Sequence, residues 1–192
     1  MPWDKQFDKE AALDRALDAF WARGFEATSM QDLVDSTGVN RASLYATYGD
    51  KRAFFRAALT RYDDRRRRML ADLEAHRRPR EAIRQLFLSF ARDVDPGGDN
   101  RGCFLTNTAI ELAGHDAEIR REVAAAQADI EAFFKRLIVA GKKTNEIASH
   151  IDATAASRAL LAALIGLVVL VRSRPERALL KSVVDEALGR LD

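Results

Sequence analysis

Apolar residues recur three or four positions apart along almost the whole chain, and no stretch alternates as a half-buried strand would. The pattern predicts an all-α protein. A first helix over 9–23 carries Leu13, Ala16, Leu17 and Phe20 on one face and is closed by Gly24, with Phe25 returning into a small core. Met30, Leu33 and Val34 bury a second helix. Gly38 breaks it, Val39 plugs the angle, and Asn40 caps a third helix from Arg41 whose inward residue is Leu44. Asp50 caps a fourth helix from Lys51 to about 74, with Phe54, Phe55, Ala58, Leu59 and Tyr62 inward.

The second half continues in the same period. A helix over 80–94 carries Ile83, Leu86, Phe87, Phe90 and Ala91, and Pro96-Gly97-Gly98-Asp99-Asn100 forms a loop. A short apolar helix spans 103–112. Asp116 opens a long helix lined by Ile119, Val123, Ile130, Phe133, Phe134, Leu137 and Ile138 and ending near Gly141. Asp152 caps a helix carrying the apolar run 159–171. Pro175 starts the last helix, with Leu179, Leu180, Val183, Val184, Ala187 and Leu188 inward.

Composition narrows this picture only a little. The 192 residues suffice for one or two domains with a sizeable core. A net charge of +2 does not announce a nucleic-acid binder, so any such attraction must come from local placement. Arg41, Lys51, Arg52 and Arg56 are expected on one side, with Asp8, Asp14, Asp18, Asp32 and Asp35 mostly on the helices behind it. The single cysteine excludes an internal disulfide and fits a cytoplasmic protein. Met1-Pro2-Trp3-Asp4-Lys5 carries no signal-peptide pattern, and the run 159–171 is shorter than the roughly 20 residues that span a bilayer. The run Arg65-Arg66-Arg67-Arg68 reads as a solvated helix face with Asp63, Asp64 and Asp72 as neighbours. The organisation expected is a first domain over 1–50, a connecting helix over 51–78 and a second domain over 79–192.

The stretch Ser29 to Lys51 reads as a helix, a tight turn and a second short helix bearing Arg41, Ser43, Tyr45, Thr47 and Tyr48. Such side chains hydrogen-bond phosphates and base edges, and a helix-turn-helix places such a helix in the DNA major groove. Residues 7–62 resemble the TetR family of bacterial transcriptional regulators. The resemblance rests on Phe20-Trp21-Ala22-Arg23-Gly24-Phe25, Ala27-Thr28-Ser29-Met30, Gly38 to Tyr45, Tyr48-Gly49-Asp50-Lys51 and Phe54-Phe55, and more weakly on Arg101-Gly102-Cys103-Phe104-Leu105. It implies an N-terminal three-helix DNA-binding domain, a C-terminal helical ligand-binding and dimerisation domain, and a pseudo-palindromic double-stranded DNA operator. It also implies that Tyr45, Tyr48 and Lys51 grip the phosphate backbone and that Thr28 and Ser29 bind another phosphate. Arg41 is the candidate base reader, since arginine grips guanine bidentately. Asn40, Ala42, Ser43 and Thr47 complete the expected DNA surface.

For the second domain, the resemblance implies a small-molecule effector and a shift of the recognition helices when it binds. Phe87, Phe90, Phe104 and Phe134 are candidate walls, with Phe133 beside them; Asn107, Thr108 and Glu111 lie at helical spacing and suit a polar group. Cys103, after Gly102 and beside Arg101, reads either as a small core residue or as a thiol sensor of electrophiles or oxidants. The penultimate helix is apolar nearly all round, so a second copy is expected to cover it. Ala155, Ala156, Ala159, Ala163 and Gly166 allow close packing, and the homodimer contact is expected through Ala159, Ala163, Leu167, Leu170, Leu180, Val184 and Leu188. No cofactor and no membrane partner are expected. His76, His115 and His150 have no metal-ligand spacing, and neither a glycine-rich phosphate loop nor a nucleophile elbow occurs, so enzymatic chemistry is not indicated. The reading is a ligand-responsive repressor; a thiol-based regulator and a helical protein with a non-DNA role are the alternatives.

Overall fold

The computed structural model describes residues 7–95 and 97–192, and the readings made at Met1–Lys5 and Pro96 lie outside them. Among the described residues there are helices and no strands. The chain divides into two compact units, Met1–Arg65 and Arg66–Asp192.

The first unit contains α1 (Lys9–Arg23), α2 (Met30–Thr37), α3 (Arg41–Tyr48) and the first part of α4 (Lys51–His76). Each start is capped by a short polar side chain. Asp8 accepts from the Ala11 amide at 3.1 Å, Asn40 from Ser43 at 2.9 Å, and Asp50 from Ala53 at 2.7 Å. The core is built from Leu17, Phe20, Leu33, Leu44, Phe54, Phe55 and Ala58, all buried. Phe20 meets Phe54 and Phe55 edge to face at 6.2 and 5.1 Å, pairs that add about 0.5–1.5 kcal/mol each beyond their burial. Arg61 fastens α4 to α1 by donating to Asp14 at 2.9 Å and to Glu10 at 2.5 Å, and Arg65 reaches Asp14 at 2.5 Å. Those bonds hold the Asp14 carboxyl below the usual carboxylate range, the Arg61 hydrogen bond being the main cause.

The second unit contains the rest of α4 with α5 (Pro79–Ala91), α6 (Phe104–Leu112), α7 (Ala117–Lys143), α8 (Ala153–Ser173) and α9 (Arg177–Gly189). Several ends differ from those read off the sequence. Pro79 opens α5, where its missing amide would be unbonded anyway. Pro175 precedes α9, which starts at Arg177 after Glu176. Helix α7 runs through Gly141 to Lys143; a Cβ at Gly141 would stand 2.7 Å from Ile147, so this glycine serves close packing rather than termination. Asp116 and Asp152 cap α7 and α8 as expected, each accepting from two amides.

The four-arginine run is not simply a solvated face. Arg66 is 7% exposed, and both it and Arg67 reach Asp129 of α7 at 3.2 Å. Further along, Arg136 of α7 grips Glu74 of α4 with two bonds of 2.8 Å, which hold the Glu74 carboxyl below its usual range. Helix α8 packs against α7, α5 and α9. Its 21 residues exceed the apolar run seen in the sequence, making it long and apolar enough to cross a membrane by length and composition alone. Leu160, Leu164, Leu167, Val168 and Val171 are nevertheless buried within the unit, and Arg158 is tied to Glu131 of α7 at 3.1 Å.

Candidate nucleic-acid interface

The helix-turn-helix is fixed by local bonds at each corner. Ser29 and Asp32 form a capping box at the start of α2: the Ser29 hydroxyl oxygen accepts from the Asp32 amide while the Asp32 carboxylate accepts from Ser29 N–H and O–H. With Arg23 also donating at 2.6 Å, the Asp32 carboxyl is held down at about 2, chiefly by the Ser29 bonds. Gly38 ends α2 in the left-handed region at φ 71°, where a side chain would be strained. Arg15 donates to the Thr37 carbonyl at 3.0 Å, satisfying one acceptor of that helix end. Val39 is buried in the angle between the helices, as its apolar character demands.

Leu44 holds α3 against the core, so the opposite stripe faces outward: Arg41, Ala42, Tyr45 and Ala46 are exposed. Tyr45, at 43% exposure, stands among the few exposed large hydrophobic side chains of the described residues. Ser43, Thr47 and Tyr48 are half-buried at the sides of this stripe. Asn40 spends its side-chain oxygen on the cap.

Other expected DNA residues are engaged inside the unit. Tyr48 donates its hydroxyl to the Lys9 carbonyl at 2.9 Å and stacks on Phe54, and burial pushes its phenol pKa up. Lys51 donates to the Phe25 carbonyl at 2.9 Å with its ammonium 4.2 Å above the Phe25 ring. Thr28 is fully buried, and its hydroxyl donates to the Gly24 carbonyl at 2.6 Å. Its side chain therefore shapes the turn before α2 and presents no hydroxyl at the surface.

Gln31 was not singled out from the sequence, and Asp35 was expected only among the acidic residues behind the recognition side. Arg41 donates to the Gln31 amide oxygen at 3.1 Å, and Gln31 donates to Asp35 at 2.9 Å. Asp35 thus belongs to the network around Arg41, not to the rear surface expected of it. The i, i+4 spacing of Gln31 and Asp35 was the only available signal.

In the second unit, Phe87, Phe104 and Phe134 are buried and Phe90 is half-buried, with Phe87 and Phe134 rings 6.0 Å apart. Thr108 is 1% exposed, and its hydroxyl oxygen has no hydrogen-bond partner. Asn107 donates to the Arg101 carbonyl at 2.9 Å, while Glu111 is half-buried. Cys103 is buried immediately before α6.

Of the residues expected at a dimer contact, Leu167, Leu180, Val184 and Leu188 are buried in the chain's own core. They follow the inward stripes of α8 and α9, so they cannot also face a second copy. Ala159, Ala163 and Leu170 are half-exposed, and Ala155, Ala162, Gly166 and Val169 are exposed beside them. An open groove of about 670 Å³ runs between α8 and α9, lined by Ala159, Ala162, Ala163, Ser182, Glu186 and Arg190 among others. Among the described residues no cluster of His, Cys, Asp or Glu stands where a metal ion is held.

This arrangement is matched by known proteins at both ends. A family model described as bacterial regulatory proteins, tetR family, matches residues 12–58, and one described as tetracyclin repressor-like, C-terminal domain, matches residues 79–185. The uncharacterized HTH-type transcriptional regulator YezE of Bacillus subtilis is 31% identical over 191 residues, 98% of each chain. The HTH-type transcriptional repressor ComR of Escherichia coli is 33% identical over 155 residues, covering 78% of this chain and 72% of its own. Among solved structures, a cysteine mutant of the regulator CifR complexed with 26-bp double-strand operator DNA superposes with a TM-score of 0.84. It is 27% identical, and 98% of each chain is covered.

Proposed function

The chain belongs to the tetR family of bacterial regulatory proteins, and on that premise we propose that it is a ligand-responsive transcriptional repressor, not an enzyme. It binds a pseudo-palindromic DNA operator as a homodimer and releases it when a small molecule binds the second unit. The observation that carries this reading is the outward stripe of α3, where Arg41, Ala42, Tyr45 and Ala46 stand clear of the core while Leu44 anchors the helix. Arg41 reads a base edge; Tyr45 and Lys51 contact phosphates; Ser43 and Thr47 contribute at the sides. Ser29 and Thr28 act by shaping the start of α2. Tyr48, whose hydroxyl is donated to Lys9, contributes mainly by holding the end of α3.

The effector site is assigned to the second unit, around Phe87, Phe90, Phe104 and Phe134. Thr108 supports it, because a buried hydroxyl without a partner is unfavourable unless a ligand or water supplies one. Asn107 and Glu111 complete its polar side. The thiol-sensing alternative is disfavoured, since Cys103 is only 8% exposed and reactive thiols need access. A second copy covers the small-residue face of α8, which explains a helix so apolar in a cytoplasmic regulator.

The test is selection of binding sites from a random duplex library at a stated salt concentration. A recovered pseudo-palindrome whose occupancy falls on addition of a ligand supports the reading. No enrichment over non-specific binding, with or without candidate ligands, overturns it.

A further inference from the structure

Three exposed side chains form a chain of hydrogen bonds across the turn of the helix-turn-helix. Arg41, the first residue of α3, donates through Nη2 to Gln31 Oε1 at 3.1 Å; Gln31 donates through Nε2 to Asp35 Oδ1 at 2.9 Å. Gln31 and Asp35 lie one turn apart on α2. A guanidinium only donates and a carboxylate only accepts, so a single orientation of the Gln31 amide satisfies both neighbours. The amide oxygen is thereby aimed at Arg41.

We propose that Gln31, braced by Asp35, is a positioning residue for Arg41, so that the first helix of the motif sets the specificity that the second one delivers. The inference rests on the assignment of Arg41 as base reader. A long arginine side chain has many rotamers, and a bidentate grip on guanine uses one of them. Anchoring one edge of the guanidinium on Gln31 restricts that freedom before DNA arrives, which is how preorganisation raises affinity for the matched base. In free protein these bonds are washed by water and contribute little to folding. Against a duplex that excludes water they strengthen, so their effect appears in base discrimination rather than in stability.

The experiment compares full-length wild type with Gln31→Ala, Asp35→Ala, Arg41→Ala and the double variant Gln31→Glu with Asp35→Asn. Each is assayed for Tm and for affinity to the selected operator and its single-base variants at one salt concentration. Arg41→Ala is expected to remove discrimination of roughly 5- to 150-fold at one base pair of each half-site. Gln31→Ala is expected to lower it about three- to ten-fold at that same base pair. Asp35→Ala lowers it less; Tm stays unchanged in both, and non-specific affinity stays unchanged in Gln31→Ala, which removes no charge. The double variant conserves net charge and rebuilds the chain with the carboxylate in the middle, accepting from both neighbours, so it restores discrimination.

Several results overturn the inference. If Arg41→Ala relaxes the preference and Gln31→Ala does not, Gln31 positions nothing. If Gln31→Ala acts at a different base pair, it reads DNA itself. If Arg41→Ala changes no preference at a site the wild type selects, the base-reader assignment falls while DNA binding stands. If wild type selects no site, the functional reading itself fails.

Discussion

The ring of Tyr48 lies flat on that of Phe54, centroids 3.9 Å apart and planes 13° from parallel, while its hydroxyl donates to the Lys9 carbonyl. The last residue of α3 is thus tied to the first turns of α4 and α1 together. Tyr48→Phe keeps the stack and removes the bond, so denaturant unfolding should show a loss of about 1 kcal/mol. Operator affinity should fall by no more than the change in folding accounts for. A large affinity loss at unchanged stability would instead assign the hydroxyl to a phosphate.

Lys51 combines a bond to the Phe25 carbonyl with a position over the Phe25 ring. Such an ammonium keeps further donors for a phosphate. Lys51→Ala should weaken binding to all sequences alike and lower the slope of log affinity against log salt by about 1. Titrations of matched and mismatched duplexes at several salt concentrations check this. A preference lost at one base pair alone would contradict it.

Asp32 links the capping box of α2 to Arg23, and its carboxyl pKa is held at about 2, below the ordinary 3.8. A depressed carboxylate pKa adds stability above the unfolded value that is lost as pH falls through the folded one. Between pH near 3.8 and about 2, wild type should therefore lose stability more steeply than Asp32→Asn. Thermal melts across that range compare the two slopes. Parallel acid limbs would show that the capping box does not couple to proton binding.

Gly166 lies on the outward face of α8, and a Cβ built there meets nothing within 4 Å. Gly166→Arg should leave the chain folded by circular dichroism yet halve its mass by light scattering and weaken operator binding. Leu167→Ala, one residue along and fully buried, should instead cost about 2–5 kcal/mol of stability. A dimeric Gly166→Arg variant would remove this face from the contact.

Cys103 is buried. The native protein should react slowly with a maleimide and readily once unfolded in urea, and Cys103→Ala should leave DNA binding and ligand release intact. Loss of release in that variant would return the thiol-sensing alternative.

Much of the architecture was readable because helices are local. The apolar period marked each helix, and Asn40, Asp50, Asp116 and Asp152 precede helices as caps do. The outward stripe of α3 followed once Leu44 was seen as its inward residue. Where the reading slipped, distant partners decided. Leu167 and Val184 looked available to a second copy because the period says that a residue is buried, not against which neighbour. Arg66 looked solvated because its partner Asp129 is 63 positions away. Gly141 looked like a helix end because nothing nearby announced Ile147.

By itself the sequence determined the helical class, the helix-turn-helix with Gly38 at its corner, and the family. These depend on spacing within a few residues, which backbone geometry translates directly into structure. Only the tertiary structure decided what each polar side chain does. Thr28 turned inward to Gly24, Tyr48 reached Lys9 across 39 positions, and Arg41 found Gln31 across a turn. A donor takes whichever acceptor packing brings within about 3 Å, and that choice is made by the fold as a whole.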